Sequence, residues 1–195
     1  YELMLKTIVP FTVSGVIWYQ GESDEYFSEH YESAMKAVIR CWRDQWKQTL
    51  PFIMVQLASF EVMAEYLDFV AIRKAQERIA RTVEQTYMVT AMDVGMRYDI
   101  HPKRKRPIGT RLAWQALDKV YGCHICADSP TVDQVSFSGN NNIVITMKHT
   151  HGGLTVRGGK PKTFEVFLDG EKDENVLVQV SAGSIAIQTD KAAQT

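Results

Sequence analysis

This sequence has few cysteines, no long apolar segment and no excess of one charge. Each of these absences argues against a class of binding site or partner. Cys41, Cys123 and Cys126 are its only cysteines. The last two form a single Cys-x-x-Cys, whereas a zinc site of this kind needs a second such pair. We expect these two to be plain cysteines, with a local disulfide as the lesser alternative, and Cys41 to be a small buried residue in a helix.

Charge and hydropathy exclude two further classes of partner. The chain has 22 basic and 23 acidic residues and a formal net charge of -1, which gives no reason to expect nucleic acid or an anionic membrane as partner. No apolar stretch is long enough to span a bilayer. The one basic run, residues 103–106, is interpreted as a solvated approach to a helix.

What the sequence does contain is enough apolar character for a substantial core. Hydrophobic residues make up 45% of the chain and charged residues 23%, a composition typical of folded domains. The chain begins at Tyr1 with neither an initiator methionine nor a secretory signal, and its first residues read as the middle of a fold. We therefore expect a fragment, and the missing signal says nothing about compartment.

Up to about Gly122, strand and helix patterns alternate. Short apolar runs at residues 15–19, 52–58 and 87–92 predict buried strands. Apolar residues recurring every three or four positions predict helices over residues 27–46, over about 66–81, and from Pro107 to a stop at Gly122. This alternation predicts an α/β fold, with a parallel sheet covered by helices on both faces.

After Pro130 the pattern changes to short alternating strands. These are predicted at residues 135–137, 142–147, 164–168, 176–180 and 184–187, separated by turns at 139–141, 151–153 and 169–170. The pattern predicts an antiparallel β-sandwich whose last strands can lie beyond Thr195. We therefore divide the chain into an α/β portion, residues 1–128, and a β-rich domain, residues 129–195.

Polar clusters follow two of the predicted parallel strands. Residues 20–24 come after the first strand and residues 93–102 after the third. Ligands of open α/β sheets bind beyond the carboxyl ends of the strands. Together the two clusters supply an amide donor, several carboxylates and a histidine, which are the parts of an acyl-transfer site.

Several motifs carry a resemblance to one enzyme family. Residues 15–23, Gly-Val-Ile-Trp-Tyr-Gln-Gly-Glu-Ser, resemble a conserved block of the sialate O-acetylesterases and their acetylxylan-esterase relatives. The same family is indicated, in order and spacing, by Trp42-Arg43, Leu50-Pro51-Phe52 with Val55-Gln56, Arg73 with Gln76, and Asp99-Ile100-His101-Pro102 followed by Lys105, Gly109, Arg111, Leu112 and Ala113. The resemblance covers about the first 122 residues.

This resemblance implies a fold and an activity. The fold would be part of the flavodoxin-like parallel sheet of SGNH hydrolases, and the activity would be hydrolysis of O-acetyl esters on sialic acid by a serine esterase mechanism. One alternative is an acetylxylan or other carbohydrate acetylesterase. Another, from a different class, is a carbohydrate-binding module without catalysis. The resemblance favours a secreted, periplasmic or lysosomal location.

His101 is the residue expected to act as the general base, because its motif matches the family's histidine block and an imidazole titrates near neutral pH. Asp99 is the natural acid to orient it. The family commonly places this acid three residues before the histidine, where this sequence has Tyr98. Asp93 or a backbone carbonyl could therefore serve instead.

Gln20 matches the side-chain donor of the family's oxyanion hole, and Glu22 is a possible supporting residue. Ser23 is interpreted as a helix cap and not as the nucleophile. The family's nucleophile lies in an upstream Gly-Gln-Ser-Asn-Met block that this sequence does not contain. The expected partners are therefore an acetylated sugar and an N-terminal segment or chain carrying the serine, or else a second copy of this chain.

No cofactor and no metal are expected. His30 is predicted on a solvated helix face and His124 in a turn. His149 and His151 could share a strand face as ligands, but no third ligand is apparent, so a surface role is favoured for both.

Overall fold

The structure is a computed structural model that describes residues 2–61, 69–138, 141–156, 158, 159, 161 and 164–190. It contains two compact units, Tyr1–Ala127 and Asp128–Thr195. In the first unit, strands and helices alternate along the chain. The strands are β1 Val16–Trp18, β2 Phe52–Gln56 and β3 Thr86–Thr90, and the α-helices are α1 Leu5–Ile8, α2 Ser28–Trp46, α3 Phe69–Thr82 and α4 Arg106–Gln115.

The three strands form a parallel sheet in the order β1-β2-β3, in which Ile17 pairs with Ile53 and Ile53 with Tyr87. The central strand, β2, is almost completely buried, because its side chains alternate between two apolar layers. Phe52 and Met54 belong to the layer built with α2 and α3, whereas Ile53 and Val55 belong to the layer built with α4. The predicted parallel sheet with helices on both faces is confirmed.

Helix α2 covers one face of the sheet with a stripe of side chains four residues apart. Tyr31, Met35 and Ile39 are the buried members of this stripe. Cys41 is exposed, so the predicted burial of this thiol is wrong. At about 100° per residue, Cys41 lies about 200° around the helix from Ile39 and therefore faces away from the core.

An arginine ties the amino-terminal ends of two strands to α2. Arg43 donates from Nε to the carbonyl of Leu50 at 3.0 Å, and from Nη2 to the carbonyls of Glu84 at 2.7 Å and Gln85 at 3.2 Å. These carbonyls directly precede β2 and β3. The Trp42-Arg43 motif therefore stabilises the sheet at the edge opposite to the one where ligands bind in such folds.

The predicted boundaries differ from the structure mainly at element ends. Helix α4 passes into a π-helical turn, Ala116–Val120, and the chain then reverses at Gly122 with φ of 66°. The positive φ suits a glycine after a helix end, as expected. The start predicted for the second helix, near residue 66, lies outside the described residues.

The second unit is built from antiparallel strands. Its four-stranded sheet has the order β4-β5-β9-β8, and β6 and β7 form a separate two-stranded hairpin around the turn at Asp169 and Gly170. The strands are β4 Thr131–Ser138, β5 Asn142–Lys148, β6 Phe167–Leu168, β7 Glu171–Lys172, β8 Leu177–Val180 and β9 Ser184–Gln188. Antiparallel pairing is confirmed. The strand predicted over residues 164–168 is shorter than expected, and residues 139 and 140 of one predicted turn are not described.

One edge of the parallel sheet is apolar and open. Among the described residues, β1 pairs along one side only, with β2, and Ile17 at its centre is 62% exposed. A groove of about 430 Å³ runs along β1 towards Trp42 and Trp46, and a second of about 350 Å³ lies on the opposite face towards Val120. An apolar edge strand flanked in this way is a template for association with another chain.

We expect the 195-residue chain on its own to self-associate through β1. A lysine at the centre of the strand should oppose this pairing, because a charge on an edge strand disfavours further strand addition. Light scattering should therefore show Ile17→Lys at a lower mass than the unsubstituted chain, while Val70→Lys, an exposed apolar position on α3, should leave the mass unchanged. An unsubstituted chain that stays monomeric at high concentration would contradict the expectation.

Candidate active site

The carboxyl-terminal ends of β1, β2 and β3 lead into three connecting segments at one edge of the sheet, of which the first and third are rich in polar residues. Residues 20–24 follow β1, residues 57–61 follow β2 and residues 91–102 follow β3. Parallel strands end at the same edge, so the two polar clusters expected from the sequence both arise there.

The segment after β1 turns at a glycine whose positive φ and close neighbours both disfavour a side chain. Gly21 has φ of 143°, and a Cβ there would lie 3.2 Å from Ile72 Cγ2 and 3.2 Å from Tyr31 Cε2. The chain then enters a 3₁₀ helix, Glu22–Phe27. The turn sets the direction of Gln20, whose side-chain nitrogen donates to the Asp24 carboxylate. A carboxamide has two N–H donors, so this bond leaves one for a ligand.

A buried glutamine on α3 holds the ends of β1 and β2 together. Gln76 is fully buried, and its Oε1 accepts a hydrogen bond from the Leu57 amide at 2.9 Å. Its Nε2 lies 3.3 Å from the Gln20 carbonyl oxygen, 3.2 Å from the Tyr31 hydroxyl and 3.4 Å from the Val55 carbonyl oxygen. The side chain of Gln76 therefore links the backbone of Gln20, the candidate oxyanion donor after β1, to the end of β2.

Tyr31 of α2 completes this network. Its hydroxyl donates to the Gln20 carbonyl oxygen at 3.2 Å. Burial raises the pKa of Tyr31 to about 12, with smaller contributions from the charges of Asp24 and Glu22. The phenol therefore stays protonated and remains a donor throughout the pH range in which the protein can work.

The segments after β2 and β3 touch each other closely. Ser59 Oγ donates to the Met92 carbonyl oxygen at 2.6 Å, and the Glu61 amide donates to the Arg97 carbonyl oxygen at 3.1 Å. A Cβ at Gly95 would lie only 2.1 Å from the Ser59 carbonyl oxygen, so this position requires a glycine. This contact limits the paths that the chain can take towards His101.

His101 is exposed, and Asp99 lies beside it. One carboxylate oxygen of Asp99 accepts the His101 backbone N–H at 2.8 Å and lies 3.6 Å from Nδ1 of the same residue. The backbone bond fixes the carboxylate two residues before the imidazole. At 3.6 Å the carboxylate and Nδ1 are within ion-pair range but too far apart for a hydrogen bond, and catalytic contacts of this kind often shorten only when substrate is bound.

Asp93, the alternative acid, is engaged elsewhere. Its two carboxylate oxygens accept hydrogen bonds from Arg111 at 2.6 and 2.8 Å, and the same guanidinium donates to the Thr90 carbonyl oxygen at 2.8 Å. Hydrogen bonding to Arg111 holds the pKa of Asp93 below its usual value. Asp93 therefore anchors α4 to the end of β3, which favours Asp99 as the acid next to His101.

A cation on the His101 side reaches the end of β1. Nζ of Lys105 lies 4.6 Å from the centre of the Tyr19 ring, a cation–π contact. Burial, followed by the negative charge of Glu22, raises the pKa of Tyr19. The segment that carries His101 and the segment that carries Gln20 and Glu22 are therefore in contact through Lys105 and Tyr19.

The remaining polar candidates have simpler environments. Ser23 is exposed within the 3₁₀ helix, whose N-cap is Gly21, so the interpretation of Ser23 as a helix cap is wrong. His30 is exposed on α2, as predicted, and all three cysteines are unbonded. In the described part of the chain, no three His, Cys, Asp or Glu side chains cluster as metal ligands, and no helix is long and apolar enough to cross a membrane.

Comparison with known proteins identifies the family. The model of the carbohydrate esterase family described as sialic acid-specific acetylesterase matches residues 1–118, well over half of the chain. The chain belongs to this acetylesterase family. The predicted resemblance is thereby confirmed.

Individual relatives agree with this membership. The sialate O-acetylesterase of Rattus norvegicus is 31% identical over 187 residues, covering 85% of this chain and 34% of the relative. Its counterpart from Homo sapiens is 31% identical over 142 residues, covering 63% of this chain and 27% of the relative. A solved carbohydrate acetylesterase from Xanthomonas citri has a TM-score of 0.81 and 29% identity over 97% of this chain, and 45% of that structure is covered. The chain spans about a third of the rat relative's length.

Gln76 belongs to the sequence motifs of the family, but its structural role is visible only in the fold. A signal was available, because Gln76 lies four residues after Ile72 and three before Ile79, on the apolar face of α3. A glutamine at a core position of an amphipathic helix must find hydrogen-bond partners. A glutamine within the apolar face of the corresponding helix would indicate the same network in other members of this acetylesterase family.

Replacing Gln76 should destabilise the chain measurably. Gln76→Leu leaves the buried Leu57 N–H without its acceptor and removes one of the two donors to the Gln20 carbonyl, at a cost of about 1–3 kcal/mol. Urea denaturation followed by circular dichroism should show this loss, and Gln48→Leu, at an exposed glutamine, should cost far less. Equal stability of the two variants would show that the network contributes little.

Proposed function

We propose that this chain takes part in the hydrolysis of O-acetyl esters on carbohydrates, with acetylated sialic acid as the favoured substrate. The observation that carries the proposal is the Asp99–His101 pair, exposed at the carboxyl-terminal edge of the sheet in a member of an acetylesterase family. The cation–π contact between Lys105 and Tyr19 supports the proposal, because it links the segment after His101 to the residue that precedes Gln20.

In the proposed mechanism, His101 accepts the proton of a serine hydroxyl as the serine oxygen attacks the acetyl carbonyl. The charge that develops on the carbonyl oxygen is stabilised by an N–H of Gln20. The imidazolium, stabilised by Asp99, then protonates the departing sugar oxygen, which leaves an acetyl-serine. A water molecule, deprotonated by His101, attacks this ester, and acetate and free serine are released.

The serine is proposed to come from a segment outside this chain. At the candidate site, Ser59 donates its hydroxyl to the Met92 carbonyl oxygen, and Ser23 belongs to a 3₁₀ helix that carries no motif of a nucleophile. The apolar grooves on both faces of β1 provide a surface on which a further strand and its covering helices can pack. We propose that the serine-bearing segment docks there, next to Gln20.

A second candidate substrate class is neutral acetylated sugar, such as acetylxylan. The observation that favours it is the likeness to the Xanthomonas citri protein, which is described only as a carbohydrate acetylesterase. Comparing kcat/KM for acetylated sialic acid and acetylated xylo-oligosaccharides would decide between them. If neither is hydrolysed when the serine-bearing segment is present, a carbohydrate-binding role without catalysis becomes the better explanation.

His101→Ala should lower kcat by several orders of magnitude in an active preparation that contains the serine, with KM little changed, because a general base acts on the chemical step. Steady-state kinetics on an acetylated sugar measure this. His30→Ala, at an exposed histidine on α2, is the matched control and should keep full activity. A His101 variant that retains more than about a tenth of the wild-type kcat would remove this residue from the mechanism.

Gln20→Ala should reduce kcat by about 10²–10³, the usual cost of removing one oxyanion donor. The comparison variant is Gln48→Ala, which lies at the end of α2 away from the site and should be unaffected. An increase in KM alone would instead identify Gln20 as a substrate-binding residue. Activity in the isolated 195-residue chain, abolished by a serine-directed inhibitor, would place the nucleophile within this chain.

A further inference from the structure

The basic run before α4 lines a cleft that the proposed mechanism does not use. A cavity of about 530 Å³ lies along one side of α4 and is bordered by residues 103–106 and by Thr110, Arg111 and Trp114. Thr110 and Trp114 are four residues apart, and both follow the first turn of the helix on a common face. Among the residues that the structure describes, no acidic side chain lines this cavity.

The cations of this cleft are available to a ligand. Within the described ranges, Lys103, Arg104 and Arg106 make no ion pair, and all three are exposed. Arg111, by contrast, is paired with both carboxylate oxygens of Asp93. This pair occupies both oxygens of Asp93, and Arg104 contributes only a smaller charge interaction with the same carboxylate. Three unpaired cations at one mouth of a cavity form a site for an anion.

The part of the cleft lined by Trp114 is aromatic, in contrast to the cationic part. Trp114 is 49% exposed and presents an indole ring to the cavity. Aromatic rings bind the apolar faces of amphipathic ligands, and arginine binds carboxylates with paired hydrogen bonds. A ligand that fits both ends has a compact, partly apolar ring and a carboxylate. Neutral sugars lack the carboxylate.

Chain geometry places the cleft next to the proposed general base. Lys103 is two residues after His101, so their Cα atoms can be no more than about 7 Å apart. Pro102, between them, is fully buried and fixes the path of this short connection. A sugar held in the cleft by its carboxylate would therefore lie beside the imidazole.

We propose that the cleft along α4 is the carboxylate subsite of the enzyme, in which Lys103 and Arg104 bind the acid group of an acetylated sugar acid and Trp114 packs against its ring. This inference rests on the proposed function, because it assigns that activity to acidic rather than neutral sugars. It replaces the interpretation of residues 103–106 as an ordinary solvated stretch.

Binding can be tested without catalysis. The 195-residue chain is labelled with ¹⁵N, and the indole N–H signal of Trp114 is identified as the one that Trp114→Phe lacks. Addition of N-acetylneuraminic acid should shift this signal. The methyl ester of the same sugar, which lacks the charge, should leave that signal in place. In Lys103→Gln/Arg104→Gln the affinity should fall about tenfold or more. The control Lys47→Gln/Lys74→Gln, which removes two exposed cations elsewhere, should bind normally.

Three outcomes would overturn the proposal: equal shifts from acid and ester, no shift at Trp114, or equal weakening in both double variants. The kinetic counterpart uses an active preparation, in which Lys103→Gln/Arg104→Gln should raise KM for the acetylated sugar acid about tenfold and leave hydrolysis of a neutral acetylated sugar unchanged. If the wild type hydrolyses no acetylated sugar, the proposed function fails, whereas the binding experiment still decides the subsite.

Discussion

The buried carboxamide of Gln76 is the constraint on which the geometry of the candidate site depends. An amide without partners in an apolar layer would cost several kcal/mol, so α3 can pack only where this group meets the ends of β1 and β2. Tyr31 reaches the same Gln20 carbonyl from α2. Two helices and two strands are therefore held in one register by a few hydrogen bonds, and the turn at Gly21 follows from them.

Two neighbouring carboxylates take different roles because their surroundings differ. Asp93 is bound through both oxygens by Arg111, which makes it a structural anchor between β3 and α4. Asp99 is fixed through the backbone of His101 and still presents its carboxylate to the imidazole. Asp93 is thus committed to a structural ion pair, whereas Asp99 is the acid that lies beside the histidine.

The parts of the structure that the sequence predicted best are those governed by periodicity. The strands β2 and β3 appear in the sequence as short apolar runs, and the apolar stripe of α2 appears as a repeat every three or four residues. Cys41 is exposed although its residue type favours burial, because its angle on α2 turns it away from the core. Ser23 precedes α2 as a cap would, but the backbone turns earlier, at Gly21, and Ser23 lies inside the 3₁₀ helix. The partners of Gln76 and Arg111 come from distant segments, and no local pattern indicates them.

Because β1 is short, its pairing with β2 is easier to open than the rest of the sheet. Only three residues, Val16–Trp18, join this strand to β2, whereas β2 and β3 are paired over five. Strands with so few bonds open by local unfolding at a smaller free-energy cost than the core, and anything that binds only the closed form shifts this equilibrium by mass action. Occupancy of the β1 edge would therefore control the mobility of Gln20, which lies two residues beyond the strand. A docked neighbour would make Gln20 more rigid, and its departure would make Gln20 more mobile.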